Sequence, residues 1–289
     1  MKAAVVGSSG YIAGYLLQRL KEIKEVDTLL RIGRKQDADY LLDLTEAEAF
    51  DYSVLQEITY VIFTAAVSSP DLCAADYEAC RKVNVDGACY FIQKALDMGC
   101  RVLFFSSDAV YGDLPGHVYT ERSETCADTP YGKMKKAVED RFREHALFKA
   151  VRLSYVVSVR DKFVAYCIAC MKKQEAAELY HPFYRSCITL GEAADLVIWL
   201  MEHWDAFPHR FLNACGTELV SRIRIADEIN RMTKQKLEYR ITVPSPAFYQ
   251  NRPVCTQMES LYLYPYHILE RKSFTEMFQK EWKDGKGIL

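Results

Sequence analysis

Residues 2–14, Lys2-Ala3-Ala4-Val5-Val6-Gly7-Ser8-Ser9-Gly10-Tyr11-Ile12-Ala13-Gly14, set a glycine-rich turn directly after a short apolar run. The run reads as a buried strand, and the following Tyr15-Leu16-Leu17-Gln18-Arg19-Leu20 carries a helical apolar pattern. A strand that turns into a helix within so few residues points to a parallel α/β unit. Gly7 suits the tight turn and Gly10 a close backbone approach, while Ala13 is small enough for the helix to settle on the sheet. Such a turn offers the backbone N–H groups around Ser9, Gly10, Tyr11 and Ile12 to an anion at a helix N-terminus. The pyrophosphate of a dinucleotide fits that position.

The rest of the chain extends this pattern. Half of the 289 residues are apolar, and strand-like runs alternate with helical patterns of ten or more residues. The expected fold is therefore α/β, a doubly wound parallel sheet of Rossmann type with a smaller C-terminal lobe. Strands are expected to end near Val6, Ile32, Leu42, Ala65, Ser106 and Val157, with helices over 76–97, 131–146, 161–174 and 192–204. A strand over 211–214 would return to the sheet. Residues 1–158 and about 186–216 form the expected dinucleotide domain, and about 159–185 and 217–289 the substrate lobe. The Pro-broken stretch 242–249 reads as an exposed loop, and the tail 282–287 as frayed.

Charge and composition exclude several classes. A net charge of −2 provides no basic field for nucleic acid, and no apolar run is long enough to span a bilayer. The ten cysteines occur singly except Cys167 and Cys170, which lack a second pair or an adjacent His, so no metal site is expected. With no secretory signal in view, reduced thiols and a cytoplasmic location are the expectation.

Further residues complete a dinucleotide site. The second strand, Thr28-Leu29-Leu30-Arg31-Ile32, runs into Gly33-Arg34-Lys35 with no acid at the position that binds an unphosphorylated ribose. Arg34 suits a 2′-phosphate instead, which favours NADP over NAD. Asp43, followed by Leu44, could accept from the adenine amine. Small residues Ala65 and Ala66, at the end of Val61-Ile62-Phe63-Thr64, would let a ribose and nicotinamide lie against backbone.

Chemistry enters with Ser107, at the end of the apolar run 102–106, and with Tyr131 and Lys135. Four residues apart on a helix, the phenol and the ammonium share one face. Tyr, Lys and Ser together suit redox chemistry at a carbinol: the phenol passes the proton while hydride moves at a nicotinamide, and the Ser hydroxyl holds the reacting oxygen. An ordinary Tyr titrates near ~10, so base catalysis at neutrality predicts that the Lys cation lowers it.

The ordered motifs Gly7-x-x-Gly10-x-x-Ala13, Asp43-Leu44, Thr64-Ala65-Ala66, Lys82-Val83-Asn84-Val85-Asp86-Gly87, Ser106-Ser107-Asp108-Ala109-Val110-Tyr111-Gly112 and Tyr131-Gly132-Lys133-Met134-Lys135 resemble the extended short-chain dehydrogenase/reductase superfamily. They are most similar to its nucleotide-sugar 4-epimerases and dTDP-4-dehydrorhamnose reductases. The resemblance implies Tyr131 as catalytic acid/base, Lys135 as its partner and ribose ligand, and Ser107 as donor to the carbonyl oxygen. It places Asn84, Ser106 and Tyr155 beside the cofactor, and Asp108 and Tyr155 beside the substrate. Arg185 and Arg252 match its phosphate-binding arginines. Ala109 replaces the Glu that sugar dehydratases need for water elimination, which disfavours that reaction. An aromatic at Tyr155 leans toward a reductase, whereas the segment around Arg185 resembles epimerases. The expected activity is NAD(P)-dependent reduction of a keto group on a nucleotide-activated sugar. A 4-epimerase with tightly held NAD and a non-catalytic NAD(P)-binding sensor are the alternatives. The resemblance also implies a homodimer packed through helices 76–97 and 131–146.

Overall fold

The computed structural model describes residues 1–285. It forms two compact units, one of residues 1–112, 125–152 and 196–212, the other of 113–124, 153–195 and the described residues from 213 onward.

A seven-stranded sheet organises the first unit. Its strands lie in the order 211–214, 148–153, 101–107, 60–63, 2–6, 28–33 and 40–41. Pairing is parallel, with Val6 beside Phe63 on one side and Ile32 on the other. The two central strands have no exposed side: Ala3, Ala4, Val5, Val6, Val61, Ile62 and Phe63 are all 0% exposed. That explains why these strands are continuous apolar runs rather than alternating ones. Phe63, Phe104 and Phe148 line up on three neighbouring strands, with ring centroids 6.1 and 6.0 Å apart. Each such buried ring stabilises the fold by roughly 1.5–3 kcal/mol. Strand order reverses between Lys2–Val6 and Tyr60–Phe63, which leaves a crevice beyond their C-terminal ends.

Two local expectations are corrected and a third, the helix over 76–97, is met with an irregular centre. The run Ala150–Val157 is not one strand. The sheet strand is Phe148–Leu153, and Val156–Val157 pairs instead with Ile188–Thr189. Ser154 still donates to Ala214 O, but Tyr155 accepts from Ile188 N, so the chain changes partners at this dipeptide. The helix expected over 76–97 is Tyr77–Arg81, a single π-helical stretch Lys82–Gly87, and then Ala88–Asp97. The tail is helical through Phe274–Gly285, with Trp282 buried; residues 286 and 287 of that expectation lie outside the described residues.

The second unit has its own core. Phe163, Val164, Cys167, Ile168, Ile225, Ile229, Phe274, Phe278 and Trp282 pack together from three helices. Cys167 and Cys170 belong to this apolar cluster. A four-stranded sheet (220–221, 184–185, 255–258, 118–119) and a pair 177–180 with 239–242 complete it. Within the loop 242–249, Pro246–Tyr249 forms one helical turn. No described helix is long and apolar enough to cross a membrane.

Candidate active site

Gly7 sits at φ +87°, and a Cβ there would lie 2.7 Å from both Ala65 Cα and Ala65 N. Only glycine lets the turn pass so close to the end of the neighbouring strand. Gly7 N donates to Ile32 O (2.8 Å) and Gly10 N to Gly7 O (2.9 Å), which fixes the turn. Gly10 then caps helix Tyr11–Lys21 without any side-chain cap, and the first turn holds no acid. Its orphan N–H groups and positive end remain available to an anion.

This turn opens onto a cavity of about 610 Å³ lined by Gly7, Ser9, Gly10, Gly33, Arg34, Lys35, Asp43, Leu44, Ala65 and Ala66 among others. Eight predicted cofactor positions, Gly7, Ser9, Gly10, Arg34, Asp43, Leu44, Ala65 and Ala66, thus share one crevice in the first unit. Tyr11 and Ile12 start the helix beside it. Neither Arg34 nor Lys35 donates to any described residue, so both cations face the cavity uncommitted. Asp39, the second acid after this strand, is held by Arg31 through its guanidinium (2.7 Å) and backbone N (2.7 Å). Asp43 accepts from Thr45 N (2.8 Å) and Thr45 Oγ1 (2.7 Å), and these bonds lower its carboxyl pKa. The cavity therefore has one anchored carboxylate at Asp43 and two open cations one strand away.

Asn84 is 3% exposed in the π-helical stretch. Its Oδ1 accepts from Val67 N (2.7 Å) and its Nδ2 donates to Val67 O (2.9 Å). One side chain thus clamps both polar groups of the residue that follows Ala65 and Ala66. A π-bulge commonly marks a functional position; here it turns the amide inward from an otherwise regular helix. Val67 is a wall residue that sequence reasoning missed, since nothing in an isolated Val signals that its backbone is held.

The side chains expected to react come from two elements. Strand Arg101–Ser107 delivers Ser107, whose Oγ accepts from Ala109 N (3.2 Å) and donates to Asp108 Oδ1 (2.9 Å). Helix Pro130–Phe142 starts at Thr129, whose Oγ1 accepts from Gly132 N (3.2 Å). A Cβ on Gly132 would come within 2.1 Å of Ala109 O, so this glycine allows the helix to press against the 108–110 turn. The contact puts Tyr131 in the field of the Asp108 carboxylate. No described residue hydrogen-bonds the Tyr131 hydroxyl. Ser106 is 3% exposed and its Oγ has no partner among the described residues.

Lys135 is buried, donates to Phe105 O (2.7 Å), and lies 4.5 Å from the Phe104 ring centroid and 5.8 Å from that of Tyr131. Burial pulls its pKa down to about 7, against the pull of Glu139 one turn on. Burial and the charge of Asp108 push the Tyr131 phenol well above its ordinary value. This corrects the expectation of a lowered phenol: burial and the Asp108 charge both raise it. Tyr131 therefore stays protonated at neutral pH.

Glu139 and Arg152 are participants that sequence reasoning missed. Arg152 Nη2 donates to Glu139 Oε2 (2.6 Å) and Nη1 to Tyr111 Oη (2.8 Å), all buried. The signal in the sequence was an acid four residues after Lys135; its Arg partner lies on a strand elsewhere.

The lowered Lys135 pKa has a stability consequence. From about 7 up to the ordinary 10.5, the unfolded chain holds a proton that the native one lacks. Native stability contributed by this site therefore rises with pH across that window and is lowest below about 7. Denaturant midpoints should climb from pH 7 to 10 more steeply for the wild type than for Lys135→Met. Equal slopes would show that Lys135 keeps its ordinary pKa.

The remaining predicted residues lie in the second unit. Tyr155 donates to Asp161 Oδ1, and burial followed by that carboxylate raises its pKa. Arg185 is 8% exposed, with Nη1 on Tyr184 O (2.6 Å) and Nη2 on Pro253 O (2.8 Å). Arg252 Nη1 donates to Phe248 O (2.8 Å), and its guanidinium stacks 4.4 Å from the Phe248 centroid.

Comparison with known proteins adds to this geometry. The model of the NAD dependent epimerase/dehydratase family matches residues 3–215. No curated protein matches the chain. Among solved structures, the dTDP-4-dehydrorhamnose reductase of Bacillus anthracis in complex with NADP aligns with TM-score 0.85 at 20% identity, covering 98% of this chain and 99% of that one. The UDP-glucose 4-epimerase of Thermus thermophilus in complex with NAD aligns with TM-score 0.83 at 17% identity over 100% of both. MoeE5 in complex with UDP-glucose and NAD aligns with TM-score 0.79 at 17% identity over 99% of both. At these identities the likeness is one of fold.

Proposed function

The chain belongs to the NAD-dependent epimerase/dehydratase family, and from that premise we propose that it is an NADP-preferring oxidoreductase that reduces a keto group on a nucleotide-activated sugar to a secondary alcohol. One observation carries the reading: the Tyr131 phenol, its hydroxyl bonded to no described residue, sits on the helix that also carries Lys135 and that presses on the turn following Ser107.

The first unit fits a dinucleotide. The turn at Gly7 leaves a cradle that any Cβ would fill, and the uncapped helix start at Gly10 provides anion donors. Gly7, Ser9, Gly10, Tyr11 and Ile12 would hold the pyrophosphate, Asp43 and Leu44 the adenine, and Ala65, Ala66, Asn84, Ser106 and Lys135 the nicotinamide half. When bound, the cofactor supplies the hydride. Tyr131 gives its proton to the keto oxygen, and Ser107 steadies that oxygen by turning its O–H away from Asp108. Lys135, with amine and ammonium forms both populated near neutrality, balances the charge left on the phenolate. Tyr155 and Arg252 of the second unit are assigned to the substrate side, with Arg185 holding the backbone around them.

Arg34 is the residue proposed to read the 2′-phosphate. Arg34→Ser should weaken NADPH binding about tenfold or more, as expected for losing a charged hydrogen bond, and leave NADH binding unchanged. Titration by intrinsic fluorescence checks this, and an equal loss for both cofactors would assign Arg34 elsewhere. We further place the protein in the cytoplasm as a homodimer through helices 76–97 and 131–146. A light-scattering mass of one chain would remove the dimer.

A further inference from the structure

Three guanidinium groups of the second unit share one aromatic network. Arg185 lies 4.3 Å from the Phe183 centroid and Arg222 5.1 Å from it. Arg222 is also 4.9 Å from Phe163 and 5.7 Å from Tyr180. Phe248, on which Arg252 stacks, is 5.6 Å from Phe183 and 4.9 Å from Tyr180. Chain positions 163, 180, 183, 222, 248 and 252 meet here.

The three cations differ in what their donors do. Arg185 is occupied: its fork bonds the carbonyls of Tyr184 and Pro253, which ties strand Tyr184–Arg185 to the chain entering Cys255–Met258. Arg252 bonds Phe248 O. Arg222 hydrogen-bonds and ion-pairs with no described residue. The acid whose field reaches it, Asp161, already accepts from Tyr155 Oη, Phe163 N (2.8 Å) and Val164 N (3.3 Å). Arg252 repels it. A half-buried guanidinium with ring faces around it, a like charge beside it and open N–H donors is set up for an anion with planar or tetrahedral oxygens. Its neighbouring ring faces suit the flat base of a nucleotide.

We propose that Arg222 is the guanidinium that binds the phosphate of the substrate's nucleotide, while Arg185 is a positioning residue that holds Phe183 and the surrounding backbone. This rests on the nucleotide-sugar reading above and assigns the phosphate to a residue outside the motifs that suggested Arg185.

Calorimetric titration of the full chain with UDP, dTDP, uridine, thymidine and inorganic pyrophosphate tests it, in the wild type, Arg222→Met, Arg222→Lys and Arg185→Met. NADPH affinity, which belongs to the first unit, reports whether each variant is folded. Expected is a loss of about 10- to 100-fold in nucleoside diphosphate affinity for Arg222→Met, a smaller loss for Arg222→Lys, and unchanged NADPH and nucleoside binding. Arg185→Met should lower the melting temperature more than Arg222→Met does. Equal diphosphate affinity in the wild type and Arg222→Met overturns the proposal and leaves the proposed function standing. Pyrophosphate binding that needs Arg222, with no nucleotide bound, keeps the anion site but removes the nucleotide-sugar reading. A wild type that binds NADPH and no diphosphate of any kind overturns both.

Discussion

Tyr131→Phe should lower the rate of keto reduction by about 10²- to 10⁴-fold, the range expected for removing a positioned proton donor, with NADPH affinity nearly unchanged. The phenol oxygen is the only atom removed. It bonds to no described residue, so its loss leaves no buried group orphaned. The ring itself packs beside Cys73, Cys80 and Met134, and Phe keeps that packing. Turnover at single saturating substrate and NADPH binding by fluorescence measure the two effects separately. If both fall together, Tyr131 supports the fold instead of donating a proton.

The second large effect concerns Arg152 and Glu139. Arg152→Met should destabilise the protein by about 3–5 kcal/mol, because it strands a buried carboxylate. Glu139 is 2% exposed and takes three hydrogen bonds from Arg152, two of them at 3.1 Å and one at 2.6 Å. The double change Glu139→Leu with Arg152→Met should recover most of that loss, since two apolar side chains leave no uncompensated charge. Denaturant unfolding gives the numbers. The single change also has a chemical signature: Glu139 freed from Arg152 would favour the Lys135 ammonium one turn away, moving Lys135 above about 7. A double variant no more stable than Arg152→Met would show that the pair acts through packing alone.

The parts legible in the sequence were those governed by local rules. The strand, glycine turn and helix of the first twenty residues followed from backbone sterics and apolar periodicity, and the crevice at the reversal of strand order gathers the residues those rules singled out. The strand return at Phe211–Ala214 and the helix Lys162–Lys173 were equally readable. What escaped depends on neighbours distant along the chain. Ala150–Val157 looks like one strand until Ile188 bonds to Tyr155 and draws the last residues to another partner. The charge states of Tyr131 and Lys135 turned on burial, which spacing alone does not reveal. Arg222 carries no motif, since its aromatic surroundings arrive from Phe163, Tyr180 and Phe183. Arg185 sits in a recognisable motif, yet its donors are bound to backbone carbonyls.

Following NADPH absorbance while the purified protein meets a nucleotide-linked 4-keto sugar tests the central claim most directly. Stoichiometric loss of NADPH that disappears with Tyr131→Phe is the predicted result. A protein that carries NAD through purification and interconverts nucleotide sugars with no net change in cofactor absorbance would contradict it.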